Sequence, residues 1–244
     1  MSVRNTRLLI EYDGSDFCGW QRQVKVRTVE GELLAALAPI LSSEPEIIAA
    51  ARTDSGVHAL GQVANFTAVS PLEPERLAYA LNSALPPDVR IIEADEAPLA
   101  FNARYDAVSR RYVYVVSLKP TAVWRGYRWY VKWKLDVEAM NQAIAAVLGE
   151  HDFSAFTCKE EQRSPWIAIS EASAEEIEPG VVTVRLRGKR FLRKMVRNLV
   201  GTLVEIGRGR MPPSELCDIL ASRDRKRAGP CAPPHGLYLV KVEY

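Results

Sequence analysis

A single carboxylate, Asp54, lies in a short polar loop that could present it for chemistry. It has a cation two residues before it and a glycine two residues after it, in the sequence Ala51-Arg52-Thr53-Asp54-Ser55-Gly56-Val57-His58-Ala59. The apolar run 47–51 leads into the loop and 61–66 leads out, which predicts a strand, a tight loop and a second strand. Functional side chains are often carried on loops that a rigid scaffold holds. Asp54 is therefore the first candidate for a catalytic group.

The tripeptide Asp54-Ser55-Gly56 has two other interpretations. The simplest is a turn in which Asp and Gly have their ordinary turn roles. The second is an aspartic protease, whose paired catalytic carboxylates lie in Asp-Thr-Gly or Asp-Ser-Gly. A protease needs a second such carboxylate, from another half or another subunit, and this sequence has one with charged flanks. The rest of the chain has to decide between these interpretations.

The composition permits a nucleic-acid partner without requiring one. The 244 residues carry a formal net charge of +2, and 48% hydrophobic with 25% charged residues is typical of a globular protein. Basic residues crowd two stretches, namely Arg185, Arg187, Lys189, Arg190, Arg193, Lys194 and Arg197, and then Arg223, Arg225, Lys226 and Arg227. Such stretches are usually solvated faces, but here they recur beside aromatic and glycine-rich segments.

The cysteines and histidines predict no metal site. The four cysteines are scattered without paired spacing, and the three histidines lie far apart in sequence. The N-terminus lacks an apolar signal core, and no run approaches the roughly 20 apolar residues of a membrane span. These features predict a cytoplasmic protein with reduced cysteines.

The predicted elements alternate between strands and helices in both halves of the chain. A strand over 7–12 ends at Asp13-Gly14, a helix over 29–41 has Thr28 as its N-cap, and Pro74 opens a second helix. Asp136 caps a third helix in the same way. Further strands are predicted at 89–94, 107–117, 167–177, 181–188 and 237–244, and a further helix at 191–206. The pattern predicts an α+β fold, with one extended and mostly antiparallel sheet built from two similar halves flanked by helices.

Several motifs outside the Asp54 loop carry a family resemblance. In chain order they are Glu11-Tyr12-Asp13-Gly14, Gly19-Trp20-Gln21-Arg22-Gln23, Gly61-Gln62-Val63, Phe101-Asn102-Ala103-Arg104-Tyr105-Asp106-Ala107, Arg110-Arg111-Tyr112-Val113-Tyr114, Leu148-Gly149-Glu150-His151-Asp152-Phe153, 191–201 and 236–239. This ordered set resembles the tRNA pseudouridine synthase A (TruA) family over essentially the whole chain. The family usually has Gly and Ala where this chain has Ala51 and Ser55, and His is common where Asn102 stands.

The resemblance implies isomerisation of uridine to pseudouridine at positions 38, 39 and 40, in the anticodon stem-loop of tRNAs. It also implies a homodimer that needs no metal and no organic cofactor. We expect an N-terminal lobe, 1–105, that carries the Asp54 loop, and a C-terminal lobe, 106–244. Together they are expected to form one catalytic domain with a central RNA-binding cleft.

The same resemblance assigns three catalytic roles. Asp54 is the nucleophile, or stabilises positive charge at C1′, and attack on the base first or on the ribose first are both open. Arg197 is expected to keep this carboxylate ionised in a closed pocket. Tyr112 is expected to stack on the flipped-out base, and its hydroxyl is a candidate for proton transfer from C5.

The remaining assignments are contacts to RNA and one structural residue of the loop. Arg52 is expected to contact the flipped nucleotide or its phosphate, and His58 to stabilise the loop by hydrogen bonding. The residues predicted to bind RNA are Phe101, Asn102, Ala103, Arg104, Tyr105, Arg110, Arg111 and Arg163. A non-catalytic RNA-binding protein of the same fold is the alternative, but binding alone has no need for Asp54, Tyr112 and Arg197 together.

Overall fold

The computed structural model describes residues 3–41, 43–158, 161 and 163–244. The strands are β1 Val3–Tyr12, β2 Ile48–Ala49, β3 His58–Val69, β4 Val89–Ala97, β5 Ser109–Ser117, β6 Trp129–Tyr130, β7 Gly149–Asp152, β8 Trp166–Glu178, β9 Val181–Gly188 and β10 Leu237–Glu243. The α-helices are α1 Val29–Leu37, α2 Pro74–Ala84, α3 Val137–Ile144, α4 Met195–Gly207 and α5 Glu215–Ser222. They divide into two compact units, Met1–Val108 with Leu239–Tyr244, and Ser109–Tyr238.

The first unit is built on strands in the order β4-β1-β3-β10, with β2 pairing β3. Strand β1 runs antiparallel to both β3 and β4. Its side chains alternate as a half-buried strand requires, so that Leu8, Ile10 and Tyr12 lie in the core. Helix α1 begins where Thr28 Oγ1 accepts a hydrogen bond from the Gly31 N–H at 3.3 Å. The predicted N-cap is therefore confirmed.

The second unit is built on strands in the order β5-β9-β8-β7, antiparallel throughout, with the short β6 parallel to β5. Helix α3 begins at Asp136, whose Oδ1 accepts from the Ala139 N–H at 3.0 Å, as predicted. Helix α4 is buried over most of its length. Its Gly201 allows close packing, because a Cβ there would lie 1.7 Å from the Pro230 carbonyl oxygen.

The predicted α+β fold is confirmed, with mostly antiparallel strands in two helix-flanked halves. Helix α4 begins four residues later than predicted, at Met195, because Lys194 has φ +60° in the left-handed region. The final strand groups with the first unit, since β10 adds beside β3, where Gly61 leaves room for the Val240 carbonyl. That the lobes 1–105 and 106–244 form one catalytic domain stays a prediction.

Candidate active site

A hydrogen-bonded turn presents Asp54. The Val57 N–H donates to the Asp54 carbonyl at 3.2 Å, and Gly56 has φ +76°. The Gly56 N–H and the Ser55 hydroxyl both donate to the Phe17 carbonyl, at 3.3 and 3.1 Å. The Ser55 side chain therefore adds a bond to the turn and gives it a defined geometry.

Thr53 joins the turn to two aromatic residues of the sequence motifs. Its Oγ1 lies 2.7 Å from the Tyr12 hydroxyl, and its carbonyl accepts from the Trp20 N–H at 3.2 Å. The rings of Tyr12 and Trp20 are both buried, with centroids 6.1 Å apart. The residue before Asp54 is thus tied to the core of its unit.

Two glycines let the segment 13–20 approach the Asp54 loop. A Cβ on Gly14 would lie 2.1 Å from the Val57 carbonyl oxygen, and one on Gly19 would lie 2.7 Å from the Thr53 carbonyl oxygen. Gly19 also has φ +91°, which L-residues rarely adopt. A larger residue at either position would push this segment off the loop.

Buried polar side chains stabilise the Asp54 loop by hydrogen bonding. His58 Nδ1 lies 3.0 Å from the Gly14 nitrogen and 3.0 Å from Asp13 Oδ1, which agrees with its expected structural role. Gln62 binds both backbone groups of Ala51, as donor at 2.7 Å and as acceptor at 3.3 Å. Within this frame the Arg52 side chain is exposed and Asp54 is half-buried.

A second loop of the same unit carries five of the residues predicted to bind RNA. We call residues 101–106 the Asn102 loop, because Asn102 Oδ1 accepts from the N–H groups of Arg104 and Tyr105 at 3.0 and 3.1 Å. Tyr105 is 72% exposed, and the Arg104 guanidinium lies 5.3 Å from the centroid of its ring. Ala103 is fully buried and Phe101 half-buried. The loop therefore exposes Tyr105 to solvent, with the half-buried Arg104 beside it.

In the second unit, Tyr112 lies on the buried face of β5, opposite Leu186 of β9. Its side chain shares that face with Tyr114, as predicted. The Tyr112 ring meets the Phe191 ring edge-on, with centroids 5.0 Å apart. Only 8% of Tyr112 is exposed, so its role as a stacking surface stays a prediction.

Arg163 has a carboxylate partner that no sequence pattern predicts. Its Nε and Nη2 donate to the two oxygens of Glu161 at 2.8 and 2.7 Å. This paired bond lowers the pKa of Glu161 to about 2; burial opposes the shift, and the backbone N–H groups of Arg193 and Arg163 support it. A negative charge therefore accompanies the predicted phosphate contact.

We expect Glu161→Gln to reveal this pairing through the pH dependence of stability. The folded-state pKa near 2 lies below the usual 4.5, so the pairing stabilises the protein above about pH 4.5 and is lost as pH falls towards 2. The difference in unfolding free energy between wild type and variant should thus be larger at pH 7 than at pH 3, as urea denaturation measures. Glu175→Gln is the control, because Glu175 pairs with Arg185 at the surface and exposed pairs contribute little. An equal difference at both pH values would contradict the pairing.

Arg197 lies on α4 beside the segment 231–233. Its Nε donates to the Ala232 carbonyl at 2.8 Å, while the Arg197 carbonyl accepts from the Ala232 N–H at 3.1 Å. The neighbouring Tyr114 hydroxyl donates to the Pro233 carbonyl at 2.8 Å. Burial raises the pKa of Tyr114, and the positive charge of Arg197 opposes that rise. Arg197 is therefore held in an ordered and partly desolvated environment.

The residues 225–229, which precede that segment, are also bonded to α4. Asn198 Oδ1 accepts from Arg225 at 2.9 Å, and Thr202 Oγ1 accepts from the Gly229 N–H at 2.9 Å. Asn198 Nδ2 donates to the Phe156 carbonyl at 2.7 Å. These bonds give Asn198 and Thr202 a structural role on the helix that carries Arg197.

The two arginines at the start of β5 differ in environment. Arg110 is buried and donates to the Lys189 carbonyl. Arg111 lies 3.7 Å from Glu171, which also pairs with Arg187 at 2.7 Å. Their predicted phosphate contacts stay predictions, and Arg110 already has an internal partner.

The predicted site residues are distributed over both units of the chain. Asp54 and Arg52 share one loop of the first unit, whereas Tyr112, Arg163 and Arg197 belong to the second. That Asp54 meets Tyr112 and Arg197 stays a prediction. Among residues 3–41, 43–158, 161 and 163–244, no three His, Cys, Asp or Glu side chains are grouped so as to hold a metal ion.

Comparison with known proteins identifies the family. The model of the tRNA pseudouridine synthase family matches residues 8–106 and 143–244. The tRNA pseudouridine synthase A of Acetivibrio thermocellus is 43% identical over 99% of this chain and 100% of its own. That of Thermosipho africanus is 41% identical over 95% of this chain and 96% of its own.

These matches span both units and include the Asp54 loop. The chain therefore belongs to the tRNA pseudouridine synthase A family. Pseudouridine synthases are isomerases, so the predicted class of enzyme is confirmed.

Proposed function

We propose that this enzyme converts uridine to pseudouridine at positions 38, 39 and 40 of the tRNA anticodon stem-loop, with Asp54 as the nucleophile. The observation that carries the proposal is the clamped turn that presents Asp54, in a chain of this family. A catalytic carboxylate has to be held in a defined position. The hydrogen bonds to the Phe17 carbonyl on one side, and those of Thr53 on the other, hold the backbone around Asp54.

The reaction needs little from the protein beyond a carboxylate and a place for the base. The N1–C1′ bond breaks, the uracil turns, and C5 joins C1′. The hydrogen on C5 leaves to solvent and N1 takes up a proton, so there is no net redox change. Asp54 acts at C1′ or at the base, and the acid stays unchanged after turnover.

We assign the supporting roles as follows. Arg197 keeps the Asp54 carboxylate ionised, and Tyr112 stacks on the flipped-out base. Arg52 contacts the nucleotide or its phosphate. The partial burial of Arg197 supports its role, because charge pairs gain strength away from water. The exposure of Arg52 supports a role in contacting RNA.

Release of tritium from tRNA labelled at uracil C5 tests the proposal. Isomerisation exchanges that hydrogen with water, so release should be catalytic and should reach the number of labelled target uridines. Substrates with a single uridine at 38, 39 or 40 test the position. An RNA-binding protein without catalysis would bind the tRNA and release no tritium, which would refute the proposal.

We also propose that the enzyme is a homodimer that acts in the cytoplasm. The family resemblance supports the dimer, and a tRNA substrate supports the location. In the part of the chain that the structure describes, no helix is long and apolar enough to cross a membrane. Analytical ultracentrifugation measures the oligomeric state, and a monomer at micromolar concentration would contradict the dimer.

Substitutions at Tyr112 separate stacking from hydroxyl chemistry. If Tyr112 stacks on the base, Tyr112→Phe should retain binding and rate, and Tyr112→Ala should lose about 1–3 kcal/mol of nucleotide binding. If its hydroxyl moves a proton, Tyr112→Phe should bind tRNA normally and turn over slowly. We expect the first pattern with a modest loss of rate in Tyr112→Phe.

Single-turnover rates and tRNA affinities of both Tyr112 variants decide this. Tyr130→Ala is a suitable control, because Tyr130 is an exposed tyrosine of the same unit. Wild-type behaviour of Tyr112→Ala would mean that Tyr112 only packs against Phe191.

A further inference from the structure

Two buried asparagines bind the backbone that leads into the Asn102 loop. Asn5 on β1 and Asn65 on β3 are 1% and 2% exposed. Asn5 Nδ2 donates to the carbonyl oxygens of Pro98 and Phe101, both at 2.9 Å. Asn65 Oδ1 accepts from the Ala103 N–H at 2.8 Å, and Asn65 Nδ2 donates to the Phe101 carbonyl at 3.2 Å.

The two amides also bind each other, which fixes their orientation. Asn65 Nδ2 donates to Asn5 Oδ1 at 2.8 Å. A buried amide is costly unless its polar atoms are bonded, and a satisfied network favours one geometry over others. The backbone around Phe101 and Ala103 is thus tied to the central strands of its unit, although loops commonly move.

Tyr244 holds the same loop from another direction. Its hydroxyl donates to the Ala103 carbonyl at 2.9 Å, and its ring centroid lies 5.0 Å from that of Phe101. Both backbone groups of Ala103 therefore have side-chain partners, Asn65 for the N–H and Tyr244 for the carbonyl. The next residues along the chain are the half-buried Arg104 and the exposed Tyr105, whose backbone is thereby fixed in place.

We infer that Asn5, Asn65 and Tyr244 are positioning residues that hold the Asn102 loop in its RNA-binding conformation before tRNA arrives. The inference rests on the proposed function, since it takes tRNA as the ligand. An exposed tyrosine beside a guanidinium suits an unpaired base next to a phosphate. A loop that is already ordered in the free enzyme loses less conformational entropy when tRNA binds, so the binding is tighter.

Tyr244→Phe is the most direct test, because it removes one hydroxyl and keeps the ring against Phe101. We expect the tRNA dissociation constant to rise about 3- to 10-fold, because that is the size of effect that the loss of one hydrogen bond has. The single-turnover rate with saturating enzyme should stay within about twofold, and the thermal midpoint should fall by no more than about 4 °C. Tyr79→Phe is the control, because Tyr79 is 80% exposed on α2 of the same unit, and it should change nothing.

Combining variants shows whether Tyr244 acts through the loop. Arg104→Ala/Tyr105→Ala removes the two side chains that we expect to contact tRNA and should itself weaken tRNA binding. Adding Tyr244→Phe to this variant should then raise the dissociation constant by less than about twofold, because coupled residues are not additive. Full additivity, or wild-type binding by Tyr244→Phe, would overturn the inference. So would wild-type binding by Arg104→Ala/Tyr105→Ala.

Asn65→Ala extends the test to the buried pair. It should weaken tRNA binding more than Tyr244→Phe, and its loss of stability is followed in parallel by thermal melting. The proposed function fails separately, since it is judged by tritium release from the wild-type enzyme. A wild type that binds tRNA and releases no tritium refutes the function, and the dissociation constants of the variants still decide the positioning role.

Discussion

Asp54→Asn should abolish isomerisation while leaving the fold and tRNA binding nearly intact. The amide keeps the shape of the side chain but cannot act as a nucleophile, so the single-turnover rate should fall by at least about 1,000-fold. The turn itself should survive, because its bonds to Phe17, Trp20 and Tyr12 come from the backbone of 53–57 and from the side chains of Thr53 and Ser55. Tritium release under single-turnover conditions and a tRNA binding curve are the two measurements.

Asp16→Asn is a matched control for this variant. Asp16 is an exposed acid in the segment that packs on the same loop, so its amide should isomerise uridine at the wild-type rate. Activity of Asp54→Asn within about tenfold of wild type would remove Asp54 from the chemistry. A loss of tRNA binding together with a lower thermal midpoint would instead show that the carboxylate supports the loop.

Arg197→Met should have the second largest effect. Methionine keeps the apolar stem but loses a fixed positive charge, and losing one preorganised donor typically lowers a rate about 100- to 1,000-fold. The Ala232 carbonyl also loses its bond from Nε, so the unfolding free energy should fall by about 1–3 kcal/mol. Single-turnover rate and thermal melting measure the two effects separately.

Arg193→Met controls for the loss of a cation from the same basic stretch. Arg193 is exposed and lies four residues earlier, before α4 begins. A general weakening of the attraction for tRNA should therefore appear in this variant as well. If Arg197→Met lowers stability but leaves the rate within about threefold, Arg197 has a structural role only. If both variants lose binding equally, Arg197 acts through overall charge.

Local signals predicted the parts of the structure that depend on neighbouring residues. Thr28 and Asp136 cap their helices as expected, because a cap needs only a side chain and an N–H three residues on. The turn at Gly56 was predicted for the same reason. The predicted start of α4 at residue 191 was wrong. The apolar pattern there is helical, but Lys194 has a left-handed backbone conformation, so the helix begins after it.

Long-range partners could not be predicted. Asn5 and Asn65 lie 60 residues apart in sequence, and neither belongs to a recognisable motif. Glu161 lies two residues before Arg163, but a loop gives no period from which to expect contact. Arg110 shows a missed signal, since the two-residue period of β5 puts it on the buried face of Tyr112 and Tyr114.

Under the proposed mechanism, the clamped turn at Asp54 also determines where movement occurs during catalysis. A carboxylate held by bonded backbone on both sides has little freedom to adjust, so the enzyme contributes a small reorganisation energy at the reacting centre. Under the proposed mechanism the conformational work then falls on the RNA, whose nucleotide has to leave the stem. The apparent activation enthalpy should therefore rise with the stability of the stem around the target uridine. It should differ more between A·U-flanked and G·C-flanked targets than between enzymes of this family.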